Sequence, residues 1–244
     1  MDEGTIVKRR ELLAKFCCCG ACSCACLHES RTFAFPELIA PNRENEKELL
    51  AAFEHRNAKV DSLFAKAMEN GMTSHESAVF DHKKKVFEEG FADYQSKSKA
   101  IEALELGVGT FPNARFFPKS VPIDLYGLDP NVAMGDYALE HSQSELGDNV
   151  RYRNLRGVTE QIPFADNSLD VVTFSLVLCS VESHERSLSE VKCVLKPGGK
   201  FIFIEHVLSQ TSESLKQQQE TLTPLQVQAA DGCHLNRRTN RRTD

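Results

Sequence analysis

Short apolar runs and longer amphipathic stretches alternate along the second half of the chain, and this pattern predicts strands separated by helices. Glycine, proline or polar clusters bound each apolar run. The predicted fold class is α/β, with a doubly wound, mostly parallel sheet that binds ligands at the carboxyl ends of its strands. The predicted strands are Ile101–Leu106, Asp124–Asp129, Val150–Arg156, Leu169–Val177 and Lys200–Val207.

Amphipathic stretches predict the helices. Between the strands they cover Asn131–Leu146 and Glu185–Leu195, and Pro197-Gly198-Gly199 stops the second of these. Before the first strand, apolar residues recur at helical spacing from residue 42 to 70, and another helix runs from residue 73 towards residue 91. The aromatic residues of this helical arm are interpreted as packing contacts, with a lid over a substrate cleft as the alternative.

Length and composition fit one globular domain with extensions at both ends. The chain has 244 residues, of which 41% are hydrophobic. We divide it into a cysteine-rich arm that is disordered or targeting-like (1–41), a helical arm or lid (42–95), the α/β domain (96–235) and a basic, disordered tail (236–244). The formal net charge of −6 argues against nucleic acid as a partner.

Six of the nine cysteines crowd the stretch from Cys17 to Cys26, which argues against a disulfide framework for the whole fold. Four interpretations stay open: a thiolate metal site, acylation near a membrane, the apolar part of a targeting sequence, or an arm without function. Adjacent cysteines fit no standard zinc knuckle. The run Lys8-Arg9-Arg10-Glu11-Leu12-Leu13 resembles a twin-arginine signal, although solvated surface charges explain it equally well.

The most informative motif follows the first predicted strand. Glu105 ends an apolar run, Gly107 and Gly109 form a tight turn, and Asp129 follows about twenty residues later at the end of the next strand. A dinucleotide site needs a third glycine and no acid before the turn, but Phe111-Pro112-Asn113 stands there. A carboxylate repels a diphosphate and attracts ammonium and sulfonium groups. The motif therefore favours S-adenosyl-L-methionine over NAD.

Five ordered motifs together resemble the class I S-adenosylmethionine-dependent methyltransferases, and within them the type 11 group related to quinone-biosynthesis enzymes. These motifs are Glu105–Thr110, Gly127–Asn131, Glu160–Phe164, Asp166–Asp170 and Leu195–Gly199. Three further runs are similar to the thiol methyltransferase-like family and its plant relatives: Leu176–Val181, Ile204–Val207 and Asp231–Leu235. The resemblance covers residues 57–236 and implies a Rossmann-like methyltransferase sheet.

The resemblance also implies roles at the cofactor site. Glu105, Gly107 and Gly109 would line the methionine end of the cofactor, and Asp129 would accept hydrogen bonds from both ribose hydroxyls. Thr110 and Asn113 would support the turn, and Pro130 and Asn131 would flank the adenine. Thr159 and Glu160 would lie near the adenine edge, and Ser175 and Leu176 would lie beneath the methionine portion. A surface role for Glu160 and a core role for Leu176 are the alternatives.

Transfer of a methyl group from a sulfonium is an in-line displacement, in which the protein chiefly aligns the acceptor with the methyl group. Glu205 and His206, at the end of the fifth predicted strand, are the candidate catalytic residues, with ordering of the loop as the alternative. Cys179 is interpreted as a packed side chain, and no metal site is expected in the domain. The acceptor class stays open among thiols, quinone-like rings and lipids. The alternative is a truncated, non-catalytic isoform that either still binds the cofactor or retains only the fold, and an NAD-dependent oxidoreductase is disfavoured.

Two departures from the family pattern bear on function. Val158 replaces an acid that holds the adenine amino group in many relatives. Nothing after Leu235 supplies the helix and antiparallel strand pair with which the class ends, so we expect a terminus shortened by truncation or alternative splicing and an exposed fifth strand.

The sequence says less about location and partners. The plant-like resemblance and the pair Arg9-Arg10 favour the chloroplast, with a cytoplasmic or membrane-associated location as the alternatives. The expected partner is a small-molecule methyl acceptor, and peripheral association with a membrane stays open. The sequence leaves the oligomeric state undefined.

Overall fold

The apolar runs form one sheet, seen in a computed structural model that describes residues 5–8 and 56–235. Its strands are β1 (Thr5–Lys8), β2 (Ile101–Leu106), β3 (Ile123–Asp129), β4 (Val150–Arg156), β5 (Leu169–Ser175) and β6 (Leu195–Ile204). The strand order is β1-β6-β5-β2-β3-β4. Strands β2 to β6 pair in parallel, whereas β1 pairs antiparallel with β6. The carboxyl ends of the five parallel strands therefore meet at one edge.

Helices precede, separate and follow these strands. The described residues form α1 (Ala58–Gly71), α2 (Thr73–Phe91), α3 (Gly135–Glu145), α4 (His184–Val194) and α5 (Glu213–Ala229). Side-chain oxygens of Asn57, Ser183 and Ser212 accept backbone N–H groups at the starts of α1, α4 and α5. None of the helices in residues 56–235 is long and apolar enough to cross a membrane.

The predicted α/β class with its parallel sheet is confirmed, although some boundaries differ. β2 and β4 have the predicted bounds, whereas β5 ends at Ser175 and β6 runs from Leu195 to Ile204. β6 starts early because Leu195 pairs with Leu169, and residues 196–199 bulge before pairing resumes at Lys200. Helix α5 was missed because its sequence is polar, contains Pro224 and buries only Thr223.

The outer edge of β6 differs from the expectation of an exposed strand. Thr5 to Lys8 pair with Phe203 to Lys200, so a segment of the predicted disordered arm covers this edge. The expectation was wrong because it considered only residues after Leu235 as a source of covering strands. The cysteine cluster, the pair Arg9-Arg10, the start of the predicted first helix and the basic tail lie outside the described residues.

Helix α2 packs directly on the sheet. Phe87 and Phe91 are buried and contact Phe117 edge-on, with ring centroids 5.3 and 5.6 Å apart. The same cluster includes Ile101 and Ile123 from the first residues of β2 and β3. This packing fixes α2 beside the turn that follows β2, and the lid alternative stays a prediction.

Candidate functional site

A cavity of about 960 Å³ lies at the carboxyl ends of the parallel strands. The turn after β2, the end of β3 and the loop after β5 line it on the sheet side. Phe64, Met68 and Met72 from the helical arm and Cys233 and Leu235 from the segment after α5 complete its lining. The helical arm therefore contributes directly to the cavity, as the lid alternative requires.

The glycine turn after β2 brings backbone close to the cavity. Gly107 and Gly109 have φ values of +57° and +55°, which glycine adopts without strain. A Cβ atom added at Gly107 would lie 2.6 Å from Cγ2 of Val177. Both glycines line the cavity. Any side chain at Gly107 would thus fill the space between the first turn and the loop after β5.

Asp129 at the end of β3 is held by backbone amides. Its Oδ2 accepts the Gly109 N–H at 2.9 Å, and its Oδ1 accepts the Asn131 N–H at 2.8 Å. Burial raises the pKa of Asp129 to about 6, although these two amides and the nearby Arg56 favour the carboxylate. Each oxygen retains a lone pair for a further donor. Asp129 lines the cavity and can accept two hydroxyl groups there.

Glu105 lies buried at the end of β2. Asn113 Nδ2 donates to its Oε1 at 2.5 Å, and the Thr173 hydroxyl donates to its Oε2. Asn113 Nδ2 also donates to Ser175 Oγ at 3.0 Å. Burial raises the pKa of Glu105, and the two hydrogen bonds oppose that shift. The network fixes an acidic group beside the glycine turn, where it can face a cation.

Lys83 connects this network to helix α2. Its Nζ donates to Asn113 Oδ1 at 2.9 Å and to both carboxylate oxygens of Glu76, at 2.9 and 2.8 Å. The residue is 1% exposed, so its charge is neutralised by groups inside the protein. Sequence reasoning missed Lys83 because a lysine inside an amphipathic helix normally lies on the solvated face.

Thr159 and Glu160 lie together beside the start of α4. Thr159 Oγ1 lies 2.7 Å from Ser187 Oγ and donates to Glu160 Oε2 at 3.1 Å. Glu160 Oε1 accepts the backbone N–H groups of Glu182 and Ser183, at 2.8 and 3.3 Å. Both residues line the cavity, so Glu160 is not simply a surface charge.

Asn131 does not line the cavity, in contrast to Pro130, Ser175, Leu176 and Thr110. Its Oδ1 accepts the Ala133 N–H at 2.9 Å and its Nδ2 donates to the Asp61 carbonyl at 3.0 Å. The Asn131 side chain therefore caps the turn that follows and anchors α1, and its expected place beside the adenine stays a prediction. Asp and Asn are common in such turns because their side-chain oxygens accept nearby backbone N–H groups.

The two catalytic candidates occupy different environments. Glu205 Oε1 accepts the backbone N–H of Leu178 at 2.7 Å and that of Val177, so its carboxylate orders the loop after β5. Glu205 does not line the cavity, whereas His206 does. Burial lowers the pKa of His206, but the hydrogen bond to Cys179 and the charge of Glu205 outweigh it and the pKa lies above its usual value.

His206 lies close to two cysteine side chains. Cys179, His206 and Cys233 place their ligand atoms within 4.8 Å of one another, and Cys233 Sγ lies 3.6 Å from His206 Nε2. A hydrogen bond with Cys233 and burial raise the pKa of the Cys179 thiol. The sequence predicted no such cluster because the three residues come from three separate segments without a ligand spacing.

Comparison with known proteins identifies the chain's family. The methyltransferase domain family, type 11, matches residues 104–203. The thiol S-methyltransferase TMT1B of Rattus norvegicus is 34% identical over 169 residues, which cover 69% of this chain and 68% of that protein. The chain belongs to the class I S-adenosylmethionine-dependent methyltransferases. The thiol S-methyltransferase TMT1A of Homo sapiens is 34% identical over 161 residues, which cover 64% of this chain and 63% of that protein.

A solved structure supports the fold of this methyltransferase. A putative methyltransferase from Bacillus halodurans superposes with a TM-score of 0.51 at 16% identity, covering 65% of this chain and 64% of that chain. At that identity the likeness concerns the fold alone. The chain is thus an α/β methyltransferase with a Rossmann-like sheet.

The residues of the methyltransferase fit S-adenosylmethionine. Gly107 and the buried carboxylate of Glu105 both line the cavity, and a carboxylate suits the positively charged methionine end. The Asp129 carboxylate lines the cavity, and its role as the acceptor for a ribose stays a prediction. Pro130, Val158 and Thr159 line the part of the cavity that continues from Asp129.

Proposed function

We propose that this methyltransferase transfers the methyl group of S-adenosylmethionine to the sulfur of a small, apolar thiol. The observation that carries the proposal is the set of apolar side chains in the lining of the cavity, which His206 and Cys179 also line. Phe64, Met68 and Leu235 line this cavity together with them. An apolar acceptor would bury its hydrocarbon surface there, with a gain of about 25 cal/mol per Å².

The relatives support sulfur as the accepting atom. Both reported relatives are named thiol S-methyltransferases. The methyltransferase domain that matches the chain spans residues 104–203, which include the turn after β2 and the loop after β5. Thiols ionise more readily than alcohols, and the thiolate is the nucleophilic form. A site that methylates a thiol therefore needs to align the sulfur with the methyl group and to provide an acceptor for the thiol proton, but it needs no strong base.

The chain's own residues divide this task. Asp129 holds the ribose of the cofactor, Glu105 and Asn113 hold its methionine end, and the loop ordered by Glu205 brings Val177 against the glycine turn. S-adenosylmethionine supplies the methyl group: the acceptor sulfur forms a new bond to the methyl carbon while the sulfonium–methyl bond breaks, and its electron pair remains on the departing sulfur. The imidazole of His75 also lines the cavity and is available to take the thiol proton.

An acceptor panel tests the proposal. The full chain is incubated with labelled S-adenosylmethionine and an arylthiol, the phenol of the same shape, a hydroquinone or lipid vesicles. We expect the thiol to be methylated at least tenfold faster than its oxygen analogue. Faster methylation of the phenol, hydroquinone or lipid would overturn the assignment of sulfur.

A pair of variants ties the activity to the site. Asp129→Asn should weaken binding of S-adenosylmethionine at least tenfold, which corresponds to about 1.4 kcal/mol. Asp136→Asn, on the exposed first turn of α3, is the matched control and should leave binding unchanged. Cofactor binding without methylation of any acceptor would instead favour the non-catalytic alternative.

A further inference from the structure

Two thiols and one imidazole come close together in the lining of the cavity. Cys179 lies in the loop after β5, His206 follows β6, and Cys233 follows α5. All three line the cavity, and their ligand atoms lie within 4.8 Å of one another. Cys179, Cys193 and Cys233 form no disulfide. Among the described residues, this is the group of histidines, cysteines and acids whose ligand atoms are close enough to share a metal ion.

The separation of these atoms matches a tetrahedral zinc site. Zinc binds thiolate sulfur at about 2.3 Å and imidazole nitrogen at about 2.0–2.1 Å, so a sulfur and a nitrogen on one tetrahedral ion lie about 3.6 Å apart. Cys233 Sγ and His206 Nε2 are separated by 3.6 Å. This pair of atoms therefore has the spacing of two ligands on one zinc ion, and the Cys179 sulfur lies within 4.8 Å of both.

The backbone fixes the two cysteines relative to each other. The His234 N–H donates to the Cys179 carbonyl at 2.9 Å, and the Cys233 N–H donates to the Ala230 carbonyl at 3.0 Å. Arg56 donates to the Asp231 carboxylate at 3.2 Å and ties the same turn to the start of α1. Ligands held before the ion arrives lose little conformational entropy on binding it.

We propose that Cys179, His206 and Cys233 bind one zinc ion whose fourth coordination position opens into the cavity. Three protein ligands with an open fourth position are typical of catalytic zinc, whereas structural sites have four protein ligands. One histidine with two cysteines is an established ligand set for such an open site. Because the ligands lie in the cavity lining, a molecule inside the cavity can reach the fourth position.

The chemistry at this position deepens the proposed function and rests on it. The acceptor thiol replaces a water molecule on zinc, forms a sulfur–zinc bond and releases its proton to solvent, because zinc-bound thiols are deprotonated. The bound sulfur then gives an electron pair to the methyl carbon, while the electrons of the old bond stay with S-adenosylhomocysteine. The thioether product carries no charge, binds zinc weakly and leaves, and water returns. The net result is one proton released for each methyl group transferred.

Direct metal analysis tests the site without relying on activity. The full chain is prepared with Cys17, Cys18, Cys19, Cys22, Cys24 and Cys26 replaced by serine, so that these thiols do not contribute bound metal. After addition of zinc and desalting, we expect one zinc ion per chain by mass spectrometry. Replacement by cobalt should give the thiolate-to-cobalt absorption band of a tetrahedral site.

Matched variants assign the ligands. Cys179→Ser, Cys233→Ser and His206→Ala should each weaken zinc binding at least tenfold. Cys193→Ser changes a half-buried cysteine outside the cluster and should retain full binding. A folded chain with no retained zinc and no cobalt–thiolate band would overturn the proposal, as would a disulfide between Cys179 and Cys233 in the active protein.

Activity measurements separate this proposal from the proposed function. Full thiol methylation by the folded Cys233→Ser variant after chelation would remove the role of zinc and leave thiol methylation standing. One bound zinc ion per chain with no thiol methylation would support the metal site and refute the assigned acceptor. Loss of thiol methylation on chelation, with S-adenosylmethionine binding retained and activity restored by zinc, would support both.

Discussion

Lys83 Nζ lies 2.9 Å from Asn113 Oδ1, and this hydrogen bond joins helix α2 to the turn that follows β2. Asn113 also contacts Glu105, because its Nδ2 donates to the Glu105 carboxylate at 2.5 Å. On the other side, Glu76 accepts two hydrogen bonds from the same ammonium group. Glu76, Lys83 and Asn113 thus form a hydrogen-bonded network that holds the Glu105 carboxylate. We expect this carboxylate to face the methionine end of the cofactor.

Lys83→Met should lower the free energy of unfolding by about 3 kcal/mol, because it leaves Asn113 Oδ1 and the Glu76 carboxylate without their donor. The methionine keeps the apolar stem, so lost packing contributes little. Denaturation in urea measures the change. Lys84→Met is the control, since Lys84 is exposed and lies 4.0 Å from Glu88; it should change stability by no more than about 0.5 kcal/mol. Equal losses in both variants would show that the Lys83 network contributes nothing specific.

The strands were predictable where a continuous apolar run met a clear boundary. β2 is buried at nearly every position and ends before Gly107, so both of its bounds followed from the sequence. β6 was placed five residues too late because Pro197 and two glycines are typical of a turn, and only tertiary pairing with β5 shows that the strand continues through them. Helix α5 carries weak amphipathic patterning, so its sequence gave no comparable signal.

The cofactor side of the site was more predictable than the acceptor side. Glu105, Gly107 and Asp129 lie on consecutive βα units, and a local motif reports them. The cluster of Cys179, His206 and Cys233 depends on three distant segments meeting, which no local spacing encodes. The motif placed Asn131 directly after β3, but it did not predict that the Asn131 side chain caps the following turn, because that contact depends on the local backbone.

Binding of S-adenosylmethionine should weaken as the pH falls through 6. Burial raises the pKa of Asp129 from 3.8 to about 6, so the folded protein protonates this carboxyl at a higher pH than the unfolded chain does. Protonation removes acceptors that the ribose needs, and between pH 7 and pH 5 the ionised fraction falls about tenfold. Calorimetry should therefore give an affinity about tenfold lower at pH 5. Asp129→Asn should bind weakly at both pH values, and an unchanged slope in this variant would assign the pH dependence to another group.

The Asp129 carboxyl makes the protein less stable as the pH rises, whereas a salt-bridged acid makes a protein more stable as the pH rises. Because its folded pKa is raised, the stability that the neutral form gives is present below about pH 4 and is lost as the pH rises to about 6. Thermal unfolding across this interval should show Asp129→Asn gaining stability relative to the unsubstituted chain. A relative loss on raising the pH would contradict the assigned direction of the pKa shift.

Gly107→Ala should abolish tight cofactor binding and lower the free energy of unfolding by about 2 kcal/mol. The added Cβ would meet Val177 Cγ2 at 2.6 Å, and the φ of +57° disfavours any side chain. Gly198→Ala separates these causes, because Gly198 has a φ of +86° but no neighbour within 4 Å of an added Cβ. This control should lose about 1 kcal/mol of stability and keep its cofactor affinity. Equal cofactor affinity in the two variants would show that the turn does not approach the ligand.

Glu205→Gln distinguishes a positioning residue from a catalytic base. Glutamine keeps the carbonyl oxygen that can accept the Val177 and Leu178 N–H groups, but it cannot take a proton at neutral pH. We expect Glu205→Gln to keep kcat within about tenfold, because a hydrogen bond to a neutral acceptor is about 1 kcal/mol weaker than one to a charged acceptor. Glu205→Ala removes the acceptor and should raise KM for S-adenosylmethionine at least tenfold through disorder of the loop. Glu185→Ala, on the exposed first turn of α4, is the control that should change neither constant. A collapse of kcat in Glu205→Gln with the cofactor KM unchanged would identify the carboxylate as the base and refute the positioning role.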